Sequence, residues 1–247
     1  MWFYLYQLAS PKSFYRLTGR LLFPLGTVAF CLLLTGIFWG LFLAPPDYQQ
    51  GDAFRIIYIH VPSAFMSMGI YTWMAFLSVL LLVWRIKIAG LLIRFCAQTG
   101  FWMALLALVT GSIWGKPMWG TWWVWDARLT SELVLLLLYA AILATGSACR
   151  NPRDGDRLMA ILVLAGLVDL PIIHYSVYWW NSLHQGATLS VFTKPKIDAP
   201  MLYPLLISLA GFSLFSLWHI VYRGRMELIW REREMDWVQK LFRKGCA

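Results

Sequence analysis

The chain has 247 residues, of which 60% are apolar and only 13% are charged. A soluble domain has about 25% charged residues, so this composition excludes an ordinary water-soluble globule and also a disordered chain. It predicts a polytopic membrane protein in which almost all of the length forms membrane spans.

Six apolar runs predict six transmembrane helices. A bilayer core of about 30 Å needs about 20 apolar residues in a helix. The runs cover about residues 21–43, 58–84, 91–114, 130–148, 158–180 and 201–222. We therefore expect one all-α integral membrane domain over residues 1–247, with a basic tail over residues 223–247.

Lysine and arginine are unevenly distributed between the two sets of predicted loops. The N-terminal segment, the loops after the second and fourth spans and the C-terminal tail hold 16 of them, whereas the other three loops hold 5. Because positively charged loops stay in the cytoplasm, this bias predicts that both termini are cytoplasmic and that the loop between spans three and four faces outward. The net charge of +9 is mostly this topology signal, so we expect no nucleic-acid partner.

The sequence lacks the common redox and ATP-binding motifs. Its four cysteines form no C-x-x-C pair, which excludes a thioredoxin-like site, a zinc ribbon and covalent c-type haem on this chain. The segment from Gly111 to Lys116 comes near a phosphate-binding loop, but Pro117 follows the lysine. We therefore expect that this chain does not hydrolyse ATP.

The most unusual segment is predicted to join the third and fourth spans and reads WGKPMWGTWWVWDARLT. Its five tryptophans are Trp114, Trp119, Trp122, Trp123 and Trp125. Tryptophan collects at membrane interfaces, so an aromatic belt is one interpretation. The alternative is a broad apolar surface with indole N–H donors at its rim, which suits a large planar aromatic ligand. Asp126 and Arg128 add polar groups beside it. Thr130 is predicted to cap the fourth span, with Glu132 in its first turn.

Two histidines are predicted to lie at the outer face on different elements. His60 lies at the start of the second span, and His184 follows the fifth. A single histidine is usually a satisfied polar residue, but two at one depth beside a tryptophan-rich segment fit the two axial ligands of a haem iron. The sequence has no H-x-E or H-x-x-x-H cluster of the kind that binds zinc, so a zinc site is less favoured.

Two further histidines leave alternatives open. His174 follows Asp169 by five residues within the fifth span, with Pro171 between them. Ionisable residues inside a span are costly and often functional. This pair therefore has two interpretations. It could belong to a quinone- or proton-linked redox subunit, or it could be a structural hydrogen-bonded pair. A structural docking subunit of a transporter, without a chromophore, is a further alternative. His219 is predicted to lie at the inner interface.

The pattern W-G-x-x-x-W-G-x-W-W-x-W-D-x-R-L-T resembles the WWD signature of haem-handling proteins in cytochrome c maturation. The length, the six spans and a histidine on each side of the motif narrow this resemblance to the bacterial cytochrome c maturation protein C family, also called haem exporter protein C. The resemblance implies non-covalent binding of haem b at the periplasmic face of the bacterial inner membrane. It also implies delivery to a membrane-anchored periplasmic haem chaperone (CcmE-like). The expected role is transport rather than enzymatic catalysis, and no catalytic acid, base or nucleophile stands out.

The resemblance also implies site residues and partners. The family's axial ligands map onto His60 and His184. The motif that contacts haem and chaperone maps onto Trp114, Trp119, Trp122, Trp123, Trp125 and Asp126. We further predict that Arg55, Arg128 or both pair with a haem propionate, since a guanidinium can grip a carboxylate through two hydrogen bonds. The implied partners are a small single-span subunit (CcmD-like) and an ABC transporter pair (CcmA/CcmB-like), which would supply the missing ATPase.

Overall fold

The computed structural model describes residues 10–180, 182, 184 and 197–245. In this part of the chain the regular secondary structure is helical, apart from one isolated backbone bridge between Asp47 and Gly51. Six segments within it are long and apolar enough to cross a membrane: Pro11–Leu43, Asp52–Trp84, Lys87–Trp119, Ala127–Ala148, Pro152–Trp179 and Ala199–Arg231. The prediction of an all-α chain with six membrane-length helices is therefore confirmed.

We number the α-helices along the chain. Helix α1 is Pro11–Phe38 and continues as a π-helical turn, Trp39–Leu43. A 3₁₀ helix, Asp52–Ile56, leads into α2, Ile57–Trp84, which is followed by α3, Lys87–Trp119, and α4, Ala127–Ala148. The fifth membrane-length segment consists of α5, Pro152–Gly166, and α6, Asp169–Trp179. The sixth is α7, Ala199–Arg231, and the tail forms α8, Asp236–Gly245.

Helix α3 lies at the centre of the bundle and α1 at its edge. Half of the most apolar stretch of α3 is buried (50%), against 17% for the first segment. Helix α3 packs along α2 and also contacts α4, α5 and α7, whereas α1 packs mainly along α7. Helix α6 contacts α4. This packing brings side chains from α2, α3, α4 and the end of α6 into one region.

The start of α1 and the end of α3 lie beyond the apolar runs, because capping residues and not hydropathy determine where these helices begin and end. Helix α1 begins at Pro11, where the Ser10 hydroxyl caps the first turn by accepting a hydrogen bond from a backbone amide at 3.3 Å. Helix α3 ends only where Gly120 adopts a positive φ of 77°. Trp119 therefore lies on α3 and not in the predicted loop, as does Trp114, the last residue of the predicted third span.

The fourth span begins at Ala127, and its cap is Asp126 rather than Thr130. Asp126 Oδ1 accepts a hydrogen bond from a first-turn amide at 2.8 Å. Glu132 is buried and accepts a hydrogen bond from the Ser67 hydroxyl of α2 at 2.8 Å. The predicted roles of Thr130 and Glu132 at the helix start are wrong, because Asp126 supplies a cap one turn earlier.

Candidate functional site

His60 lies on the first turn of α2 and faces α3. Its Nδ1 lies 3.0 Å from the Ala107 carbonyl oxygen and 3.2 Å from Thr110 Oγ1. A carbonyl oxygen only accepts hydrogen bonds, so Nδ1 carries the ring proton and Nε2 keeps its lone pair. Metal-binding histidines typically donate their other ring N–H in this way, which fixes the tautomer and the ring orientation. The Nε2 atom of His60 therefore has the lone pair that a metal bond requires.

The close approach of His60 to α3 depends on Gly111. A Cβ atom at position 111 would lie only 3.0 Å from His60 Cε1. Gly111 thus has a packing role that its place in the sequence, beside the near-match to a phosphate-binding loop, did not indicate.

His184 faces His60 from the segment after α6. The two ring centroids are 6.4 Å apart, and the ring planes are inclined by 43°. Two imidazoles on opposite sides of one metal have centroids roughly 6 Å apart, because a metal–imidazole bond is about 2 Å long. The Nδ1 of His184 is buried and has no hydrogen-bond partner among the described residues. The spacing suits two axial ligands of one iron.

The protonation state of His184 also suits a ligand. Burial and the positive charge of Arg128 lower the pKa of His184 to about 4, while the Asp126 carboxylate acts in the opposite direction. His184 is therefore neutral at physiological pH, and an imidazole must be neutral to bind a metal.

Two tryptophans of α3 lie against the histidine pair. The Trp114 ring meets His60 edge-on, with centroids 5.6 Å apart, and the Trp119 ring lies 5.4 Å from that of His184. Two of the five predicted aromatic residues therefore flank the imidazoles directly. Each of the two rings contacts a different histidine.

Gln50 and Phe54 hold Trp114 in place, although no sequence motif indicated them. Trp114 Nε1 donates a hydrogen bond to Gln50 Oε1 at 2.9 Å, and the Phe54 ring meets Trp114 edge-on at 6.0 Å. Both residues precede α2, so a contact between distant parts of the chain creates this support. The sequence indicated these two supporting residues only weakly, as a polar and an aromatic residue shortly before a histidine.

The other three tryptophans lie between α3 and α4 and differ in exposure. Trp123 packs edge-on against Trp125 at 5.4 Å, and its buried Nε1 has no hydrogen-bond partner among the described residues. Trp122 is 57% exposed and Trp125 is 76% exposed. The Lys116 ammonium lies 5.9 Å from the Trp122 ring centroid. An exposed aromatic surface therefore follows the helix that contacts the histidines.

Both candidate arginines already have protein partners. Arg128 donates from Nη1 to the Ile173 carbonyl oxygen at 3.1 Å. Arg55 pairs with the Asp52 carboxylate at 2.8 Å and donates to a carbonyl at the end of the first membrane segment at 2.7 Å. A guanidinium has five N–H donors, so each arginine keeps donors for a ligand carboxylate.

The remaining two histidines make separate contacts. Asp169 is buried at the start of α6, whereas His174 is exposed and packs edge-on against Tyr175. In the part of the chain that the structure describes, no hydrogen bond joins Asp169 to His174. His219 lies beside Thr99 of α3, with 3.0 Å between Nδ1 and Oγ1. It therefore faces a neighbouring helix of the bundle.

The donor set does not suit a bare metal ion. Among the described residues, no group of three or more histidine, cysteine, aspartate or glutamate side chains is placed to hold one. Two facing imidazoles instead suit an iron whose remaining ligands come from a macrocycle.

Comparison with known proteins identifies the family. The family model of Heme exporter protein C matches residues 4–239. Heme exporter protein C of Haemophilus influenzae is 48% identical over 241 residues, which cover 98% of each chain. The protein of that name from Escherichia coli K12 is 48% identical over 244 residues, covering 99% of this chain and 98% of the relative. The one from Bradyrhizobium diazoefficiens is 41% identical over 236 residues, covering 95% and 89%.

Together with the six membrane-length helices, these relatives identify a multi-pass integral membrane protein of the bacterial inner membrane. The chain belongs to the Heme exporter protein C family.

Proposed function

We propose that this protein binds haem b non-covalently at the periplasmic face of the inner membrane and delivers it to a membrane-anchored periplasmic haem chaperone. The iron lies between His60 and His184. The observation that supports this most directly is the separation of 6.4 Å between the two ring centroids. Membership of a family named for haem export supports the identity of the cargo.

The proposed orientation puts both termini in the cytoplasm and the histidine pair outside. The distribution of lysine and arginine supports it. The N-terminal segment, the loops after the second and fourth spans and the tail hold 16 such residues, against 5 in the other loops. In this orientation a periplasmic partner reaches the site without crossing the bilayer.

The surroundings of the pair suit a flat cargo with two carboxylates. The rings of Trp114 and Trp119 flank the imidazoles and exclude water from the axial ligands. The remaining donors of Arg128 and Arg55 are available for propionates. Apolar faces then hold the macrocycle, and polar groups fix its rotation.

Delivery requires that one edge of the haem stays accessible. Trp122 and Trp125 are exposed beyond Trp119, and we assign this aromatic surface to the chaperone. A small single-span subunit and an ABC transporter pair complete the proposed assembly. ATP hydrolysis by the transporter would release the loaded chaperone, since this chain has no nucleotide-binding loop.

Co-expression with a periplasmic haem chaperone tests the delivery step. Haem that stays on the chaperone after denaturation reports covalent loading. We expect His60→Ala and His184→Ala each to lower loading roughly tenfold or more, because each removes one axial bond. Membrane insertion should be unchanged, and His174→Ala is the matched control with an exposed histidine.

Normal loading by both axial variants would contradict the proposal. Loss of loading in His174→Ala and in an Asp169→Asn variant, with normal loading in the axial variants, would instead support a quinone- or proton-linked redox subunit. Loading that depends on the tryptophans while the purified protein never binds haem would support a docking subunit.

A further inference from the structure

We propose that Ser182 is a positioning residue that holds His184 in place by linking it to Asp126 and the start of α4. The proposal rests on the proposed haem site. It assigns to the aspartate of the tryptophan-rich motif a role that is separate from contact with haem: Asp126 acts through Ser182 on the second axial ligand.

A chain of three hydrogen bonds carries this link. The His184 backbone N–H donates to Ser182 Oγ at 3.1 Å, and the Ser182 hydroxyl donates to Asp126 Oδ2. The other carboxylate oxygen of Asp126 accepts the Leu129 amide at 2.8 Å. Helix α4 is 22 residues long and packs against α3, α5 and α6. His184 is thereby joined to a fixed element of the bundle.

The chemistry of a hydroxyl explains why serine occupies position 182. A hydroxyl donates one hydrogen bond and accepts others, so Ser182 can receive the His184 amide and donate to the carboxylate at the same time. A hydrogen bond to an ionised carboxylate is roughly twice as strong as one between neutral groups. Alanine supports neither bond, whereas threonine retains both.

The two proposed axial ligands are held in different ways. The His60 ring is oriented through its own Nδ1, which is bonded to Ala107 and Thr110 of α3. The His184 backbone is held by Ser182 and its ring packs against Trp119, while Nδ1 has no hydrogen-bond partner among the described residues. The link from Ser182 to Asp126 therefore sets how firmly the second imidazole stays on the iron. We infer that His184 is the ligand that dissociates first when haem leaves.

Purified protein in mild detergent tests this role in two ways. Ferric absorption spectra and haem transfer to excess apomyoglobin are compared for wild type, Ser182→Ala, Ser182→Thr and Asp126→Ala. We expect Ser182→Ala to increase the rate of haem loss roughly tenfold, as outer-shell changes at metal ligands do. Part of its six-coordinate low-spin spectrum should be lost. Ser182→Thr should restore both, and Thr145→Ala, which removes an exposed hydroxyl near the C-terminal end of α4, should resemble wild type.

A double variant tests whether the two residues act as one unit. Ser182→Ala combined with Asp126→Ala should lose haem no faster than Asp126→Ala alone, because both changes break the same link. Additive effects of the two substitutions would overturn the link.

Hydrogen–deuterium exchange of the haem-free protein separates the link from the haem assignment. The His184 amide should exchange faster in Ser182→Ala and in Asp126→Ala than in wild type, with or without haem. Faster exchange in a protein that takes up no haem would support the link and contradict the proposed function. Unchanged exchange and an unchanged spectrum in Ser182→Ala would overturn the link while leaving the axial assignment intact.

Discussion

His60 on α2 and His184 beyond α6 face each other with ring centroids 6.4 Å apart. The His60 ring is bonded directly to the backbone of α3, whereas His184 is bonded through its own backbone to Ser182. One imidazole is therefore bonded directly to the core of the bundle, whereas the backbone that carries the other is held by a short polar link. In the proposed haem site, this difference would let the bond from His184 break while His60 still holds the iron.

The pH dependence of haem affinity should reveal the buried state of His184. Burial first, and then the charge of Arg128, lower the pKa of His184 to about 4 from an ordinary value of 6.5. Because only the neutral imidazole binds iron, we expect affinity to stay constant from pH 7 down to about pH 5 and to fall as the pH approaches about 4. Spectral haem titrations across this range measure it. A fall that begins near pH 6.5 would contradict the buried geometry.

The same shift affects the stability of the haem-free protein. The unfolded chain, in which the histidine has its ordinary pKa of 6.5, binds this proton more readily than the folded chain, in which the pKa is about 4. The free energy of unfolding should therefore fall as the pH drops through this window. The contribution of His184 should be absent from the pH profile of His184→Ala.

Gln50→Ala should weaken haem binding through Trp114. The substitution removes the acceptor of the Trp114 indole N–H, and a hydrogen bond contributes about 1 kcal/mol, which corresponds to roughly a fivefold change in affinity. Haem titration of the purified variant measures the effect. Gln49→Ala is the matched control because the Gln49 side chain is exposed. Equal affinities for the two variants would show that the bond between Gln50 and Trp114 does not support the site.

Gly111→Ala should displace His60. The added Cβ would lie 3.0 Å from the ring, so the imidazole must shift by a few tenths of an ångström and strain its bond to Ala107. Overpacking typically costs about 1–3 kcal/mol. We expect several-fold weaker haem binding and an altered ferric spectrum. Gly69→Ala on α2 is the control, because nothing lies within 4 Å of a Cβ there. An identical spectrum for both variants would contradict the packing of His60 against α3.

Glu132→Ala should destabilise the bundle. Glu132 is buried between α4 and α2 and accepts the hydroxyl hydrogen bond of Ser67 at 2.8 Å. Its removal leaves that hydroxyl without this acceptor and creates a cavity, at a cost of about 1–3 kcal/mol. Thermal unfolding in mild detergent measures the loss. Glu132→Gln keeps an acceptor and should lose less, and Glu234→Ala, at an exposed carboxylate, should unfold like wild type. An unchanged melting temperature for Glu132→Ala would refute this role.

The number of membrane-length helices could be predicted from sequence because apolar runs of this length are a strong and local signal. The exact ends were less predictable, since they depend on single capping residues. Asp126 is the clearest example: its carboxylate three residues before Leu129 is a typical N-cap arrangement, yet Thr130 also matched the pattern of a helix start. Hydropathy likewise missed the continuation of α3 to Trp119, because Lys116 and Pro117 lower the mean hydropathy while the helix continues.

The candidate site could be predicted only in part, for a related reason. Its aromatic and histidine residues have a distinctive composition, and the structure brings His60, His184, Trp114 and Trp119 together. The supporting residues carry no such signal. Gln50, for example, reaches Trp114 through contacts between distant segments, which depend on how the helices pack.

The most direct test of the axial pair is the ferric spectrum, by absorption and electron paramagnetic resonance, of purified wild type, His60→Ala and His184→Ala. Wild type should show a six-coordinate low-spin iron with two imidazole ligands. Each variant should lose this signature, and added free imidazole should restore it by filling the vacant position. A low-spin spectrum that persists unchanged in both variants, or a wild-type protein that cannot take up haem, would contradict the account.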